Sequence, residues 1–224
     1  MRLLQFLVLP LVTLQPLFAG TISGTVHAQG KEGAGADATS GEYASKKLKF
    51  AERINYDEIR PFVVYIEGKV PGATVVRSLE MVRQKDATFV PHVLPVMVGT
   101  TVEWPNEDPI FHNVYSKSDA ASFDLGLYKK GDPPHRYKFD KPGEVDVFCS
   151  IHARMNCIVL VLENPYFSVS DAGRYSITNV PPGKYTLVAW QERLPKDTKI
   201  IEVPASGDLY GVNFTVGPKN LPKY

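Results

Sequence analysis

Proline and glycine punctuate this chain so densely that few long helices fit between them: 18 prolines and 17 glycines fall among 224 residues. Proline breaks helices and removes a backbone donor, and glycine marks turns. Between these breakers lie short runs such as Thr21-Ile22-Ser23-Gly24-Thr25-Val26-His27, in which apolar and polar residues alternate. A period of two belongs to half-buried strands. No segment carries a sustained helical stripe, so the expected fold is all-β.

Charge narrows the function. Lys plus Arg is 25 and Asp plus Glu is 24, a formal net charge of +1. That balance gives no electrostatic footprint for nucleic acid. The N-terminus reads as an export signal: Arg2 is its one charge, Leu3 to Leu14 is apolar, and Leu17-Phe18-Ala19 precedes Gly20. Residues 1–19 are therefore expected to be removed, which leaves no membrane span and a mature chain of zero formal charge in the periplasm. Two cysteines exclude a disulfide-dense scaffold.

Residues 28–45, rich in Gly, Ala and Ser, read as a loop, and 46–60 as room for a helical turn. Strand patterns follow at Phe62–Ile66, Val75–Val82, Phe89–Val98, Thr100–Trp104, Phe111–Tyr115, Tyr137–Phe139, Val145–Cys149 and Cys157–Leu162. Residues 116–135 read as loop-rich. A third block holds Arg174–Thr178, Lys184–Trp190, Lys199–Val203 and Val212–Val216, with turn signals at Asp171-Ala172-Gly173 and Pro181-Pro182-Gly183. Short strands with this punctuation indicate antiparallel sandwiches.

Chemistry concentrates in Cys149-Ser150-Ile151-His152-Ala153-Arg154-Met155. Val145, Val147 and Cys149 share one face, so buried valines would turn Cys149 inward. A tight turn then brings His152 and Met155 back to the same point, and His112 offers a second imidazole. Two histidines, one thiolate and a weak axial thioether form the ligand set of blue copper sites. A structural zinc site favours four strong ligands, often with paired cysteines, and no C-x-x-C is present. A nucleophilic Cys–His pair would call for an oxyanion hole and an orienting acid, neither of which the sequence signals.

Three further motifs stand in order around these residues: Val98-Gly99-Thr100-Thr101-Val102-Glu103-Trp104, His112-Asn113-Val114 and the run from Phe139 to Phe148. With them, residues 74–163 resemble a cupredoxin of the plastocyanin, pseudoazurin and amicyanin group. The C-x-x-H-x-x-M spacing is most similar to amicyanin's short ligand loop. The resemblance implies that His112, Cys149, His152 and Met155 bind one type 1 copper ion. It also implies that Asn113 ties the first-ligand strand to the ligand loop by hydrogen bonds. Ile151 departs from the group, which often carries proline there. Cys157 reads as a small buried apolar residue, His92 as structural, His27 and His135 as solvated, and Lys129-Lys130 as a solvated turn.

Phe167 to Trp190 resembles the carboxypeptidase regulatory-like, transthyretin-like β-sandwich family, through its D-x-G turn and its V-P-P-G-x-Y-x-L run. That family's opening strand resembles Gly20–Val26, far upstream. The implied architecture is a discontinuous sandwich, residues 20–72 plus 164–218, with a Greek-key cupredoxin sandwich of residues 73–163 inserted in or joined to it. The expected function is single-electron transfer, without enzymatic activity. Its partners would be periplasmic redox proteins, a cytochrome c or a dehydrogenase. They would dock on Pro109, Ile110, Phe111, Ile151 and Ala153 around the edge of His152. Proteins of this two-part layout resemble those labelled methylamine utilisation proteins. The alternative expectation is a non-redox copper-binding or storage protein, or a partner-binding module.

Overall fold

The structure is a computed structural model that describes residues 19–30, 55–74, 78–205 and 207–217. Most of the expected leader, the expected loop and helical turn from 31 to 54, and residues 75–77 lie outside the described residues. The chain opens with β1 (Gly20–Ala28), a 3₁₀ turn at Tyr56–Glu58 and β2 (Val63–Ile66). Next come β3 (Leu79–Met81), β4 (Arg83–Lys85), β5 (Thr88–Val90), β6 (Val93–Met97), β7 (Thr101–Trp104) and β8 (His112–Ser118). They are followed by β9 (Ala121–Tyr128), β10 (His135–Lys138), β11 (Gly143–Phe148) and β12 (Asn156–Leu162). The last are β13 (Phe167–Val169), β14 (Arg174–Val180), β15 (Gly183–Gln191), β16 (Leu194–Val203) and β17 (Phe214–Val216). The fold is all-β.

Four sheets and one hairpin organise these strands. Two sheets, ordered β6-β12-β11-β8-β9 and β10-β7-β3, enclose a core around Trp104, Phe139, Val145, Val147 and Val159. The β4–β5 hairpin stands beside them. Two more, ordered β13-β2-β15-β16 and β14-β1-β17, enclose a second core around Ile22, Phe62, Leu187 and Phe214. The early strand β1 thus pairs with β14 and β17, and β2 with β13 and β15, across more than a hundred residues of intervening chain.

A third cluster of Val63, Val93, Ile158, Leu160, Leu162, Val188 and Trp190 joins the two bodies. Strand pleating explains how three strands serve two cores each, because successive side chains point to opposite faces. On β12, Cys157, Val159 and Val161 face the first core, while Ile158, Leu160 and Leu162 face the seam. On β15, Leu187 and Ala189 face the second core, while Val188 and Trp190 face the seam. On β2, Val64 and Ile66 turn one way and Val63 the other. A strand buried on both faces reads as continuous apolar sequence, which is the pattern of Cys157–Leu162.

Two local expectations need correction. Phe89–Val98 is two strands, because the chain bends at Pro91-His92 and only β6 joins the large sheet. Pro91 has no N–H to give a ladder there. Residues 121–128, expected as loop, form the edge strand β9 in a hairpin with β8. Ala121, Phe123 and Leu125 alternate with polar residues or glycine and lean on the first core.

Candidate metal centre

Strand order brings the candidate ligands together. His112 opens β8, which neighbours β11. The segment Cys149–Met155 links β11 to its antiparallel partner β12, since Phe148 pairs with Asn156. Two backbone bonds close this loop: Cys149 N–H donates to the Met155 carbonyl at 3.0 Å, and Met155 N–H donates to the His152 carbonyl at 3.0 Å. Cys149 follows Val145 and Val147 on the inward face and is buried, as the alternation requires.

Three donor atoms converge. The Nδ1 atoms of His112 and His152 are 3.1 Å apart, and Cys149 Sγ is 3.6 Å from His152 Nδ1. All three ligand atoms lie within 4.8 Å of one another, and no other His/Cys/Asp/Glu group of this kind occurs among the described residues. Met155 is 1 % exposed and packs in the same core. His112 is fully buried and Cys149 nearly so, while His152 is half-buried. His152 is therefore the candidate ligand that meets solvent.

This arrangement fits a soft transition metal. Metal bonds of about 2.0 Å to imidazole and about 2.3 Å to thiolate, in a trigonal plane, separate the donors by roughly 3.5 to 3.7 Å. The two separations to His152 Nδ1, 3.1 and 3.6 Å, are close to these. The Asn113 backbone N–H donates to Cys149 Sγ at 3.4 Å.

One partner is absent from the sequence reading. Asp108 Oδ2 lies 2.8 Å from His112 Nε2. A carboxylate there draws the ring hydrogen to Nε2 and leaves the Nδ1 lone pair free for the centre. Asp108 is itself clamped. Its two oxygens accept the backbone N–H groups of Asp86 and Ala87 at 2.9 Å each. These two residues form the β4–β5 turn, with φ of 54° and 53°. Burial raises the Asp108 pKa, but the hydrogen bonds from Ala87, His112 and Asp86 outweigh it and hold the carboxyl below its ordinary value. The signal lay in Asn106-Glu107-Asp108-Pro109: a carboxylate four residues before a candidate ligand, between two strand patterns.

Asn113 meets the ligand loop through its backbone N–H, while its side chain turns elsewhere. Its side-chain amide donates to Asp124 Oδ1 at 2.7 Å and to the Gly126 carbonyl at 3.2 Å, both on β9. The side chain thus ties β8 to the edge strand, and only its backbone reaches the ligand loop. The reason is register, since Asn113 pairs with Leu127 on β9. The five residues expected to form a docking patch are all exposed, Phe111 at 48 % and Ile151 at 52 %. Lys129 is more than a solvated turn, because its ammonium lies 5.2 Å from the Phe111 ring centre. His135 stacks on Tyr128 with ring centres 4.3 Å apart, where solvent was expected.

Comparison with known proteins gives partial likenesses. The sequence profile of polysaccharide lyase family 4, domain II, matches residues 166–209. No curated protein matches the chain. Among solved structures, a copper-containing nitrite reductase from Thermus scotoductus SA-01 is 30 % identical over 43 % of this chain and 25 % of its own, with a TM-score of 0.37. The match thus spans about a quarter of that reductase. An oxidised amicyanin variant is 26 % identical over 37 % of this chain and 80 % of its own, with a TM-score of 0.34. A purple cupredoxin from Nitrosopumilus maritimus is 26 % identical over 37 % and 98 %, with a TM-score of 0.33.

Proposed function

We propose that this chain is an exported type 1 copper protein that carries single electrons between periplasmic redox partners. The observation that carries the reading is the convergence of two imidazole Nδ1 atoms and one cysteine sulfur, two of the three from a loop closed by its own backbone bonds. His112, Cys149 and His152 would hold copper, with Met155 as the weak fourth ligand. The metal would supply a one-electron couple at this site.

The protein's own groups fit that task. Asp108 fixes the His112 ring, and the Asn113 N–H supports the Cys149 sulfur. Both arrangements limit how far ligands move between oxidation states, and small movement speeds electron transfer. The fully buried His112 keeps water from one side. His152, half-buried between the exposed Ile151 and Ala153, gives the route outward. Pro109, Ile110 and Phe111 extend this small apolar surface, which suits a weak, transient partner such as a cytochrome c or a dehydrogenase.

We read the copper-binding unit as residues 73–163, carried by a transthyretin-like sandwich of residues 20–72 and 164–218. Residues 1–19 are read as its export signal. The profile match at residues 166–209 falls within that carrier. An amine-oxidation setting, of the methylamine utilisation kind, rests on the likeness to amicyanin's ligand loop alone.

Titration of the purified chain with Cu(II) tests the proposal. An intense blue or green thiolate-to-copper band at one equivalent is expected. Only the pale colour of ordinary Cu(II) would end the type 1 reading. Copper storage is the second reading, since the same ligands could hold Cu(I) for handover. Cyclic voltammetry separates the two, because storage predicts copper loss at each reduction.

A further inference from the structure

We propose that Glu192 and His92 form a strut through which the second sandwich positions the copper-ligand loop. The proposal rests on the copper reading above and adds two positioning residues to it. Glu192 belongs to the β15–β16 turn of the outer body, and His92 to the β5–β6 bend of the other. His92 Nε2 is 2.8 Å from Glu192 Oε2. The second ring nitrogen, Nδ1, is 3.2 Å from the backbone carbonyl of Asn156. Asn156 directly follows Met155.

The ring is a two-ended brace. Its two nitrogens face a carboxylate and a carbonyl, each of them an acceptor. The His92 carbonyl adds a third hold, accepting Ile158 N–H at 2.8 Å on the same strand. Glu192 is held too, because the Arg193 N–H donates to the buried Gln191 side chain at 2.7 Å and fixes the turn. The strut ends where the loop closes: the Met155 carbonyl accepts from Cys149 N–H, one residue before the Asn156 carbonyl that His92 grips. A shift of the outer body along the seam is thereby passed to the residues that carry Cys149 and Met155.

A second bridge across the seam provides the control. Trp190 N–H donates to Glu144 at 3.1 Å, near the start of β11 and so at the opposite end of that strand from Cys149. A contact that merely glues the bodies together would behave like this one.

The test uses the full chain and its variants Glu192→Ala, His92→Phe and Glu144→Ala. In metal-free protein, amide hydrogen exchange at Cys149 and Met155 should speed up by roughly fivefold to tenfold in the first two, the scale of one lost hydrogen bond. Glu144→Ala should leave it within twofold. After copper loading, the relative intensities of the visible bands should move the same way in the first two. The double variant should add nothing, as for two residues in one network. Unchanged exchange in Glu192→Ala and His92→Phe, or equal acceleration in Glu144→Ala, would overturn the strut. If the parent chain shows no thiolate–copper band, the copper reading fails, while the metal-free exchange still decides the strut.

Discussion

At the residue scale, Cys149 and Asp108 carry the sharpest expectations. Cys149 supplies the one sulfur among the three converging donors. Cys149→Ser should remove the thiolate band and the redox response together, read by visible spectroscopy and voltammetry. Retention of either would place the sulfur outside the site. Asp108 acts one step out. Both of its oxygens accept backbone N–H groups, so Asp108→Asn sets an amide nitrogen against a donor as well as removing the charge beside His112. Loss of such a partner commonly costs about 10-fold to 100-fold in metal affinity. A competition titration against a chelator of known strength reads that loss directly. An unchanged affinity would mean that packing alone holds the His112 ring.

At the element scale, β12 decides how the chain tolerates change. Its two faces serve two different cores. Cys157 lies on the inner face and is 1 % exposed, and burial pushes its thiol pKa far up. It should therefore resist alkylation in the folded protein. Cys157→Ala should keep the copper band and cost about 0.5–3 kcal/mol of stability, the range of ordinary core truncations. Leu160→Ala, on the seam face, should cost about 2–5 kcal/mol. Urea unfolding with the visible band as a second probe tests both. Loss of the band in Cys157→Ala, with the fold intact, would make that thiol part of the site.

At the scale of the whole molecule, the seam between the bodies carries a charge that burial opposes. Desolvation raises the Glu144 pKa, the Trp190 hydrogen bond partly offsets this, and Asp146 and Glu192 add to the rise. An acid whose folded pKa is raised binds its proton more tightly in the folded state. The stability linked to it is then fully present below the ordinary carboxylate value of about 4.3 and is lost as pH rises through the folded pKa. Glu144→Gln keeps an acceptor for Trp190 and removes the charge. Its melting temperature relative to the parent should therefore rise between about pH 4 and pH 7. A difference that is flat across that window would mean that Glu144 keeps its water in the folded protein.

The same scale shows what could be read in advance. The period-two runs and the proline and glycine breaks determined an all-β fold, because alternation and turn chemistry are local properties. The candidate ligands were legible for a related reason: Cys149, His152 and Met155 sit in one short loop, and His112 opens a strand with its own pattern. Other features depended on which strands become neighbours. Asn113 turned to β9 because a register put Asp124 and Gly126 beside it. Asp108 met His112 because the β4–β5 turn offered two N–H groups to anchor it. His92 found Glu192 a hundred residues away because two apolar strand faces chose each other. Local sequence determines which residues a strand presents and to which side. Only the tertiary structure decides what stands opposite, since pairing and packing join segments that the chain holds far apart.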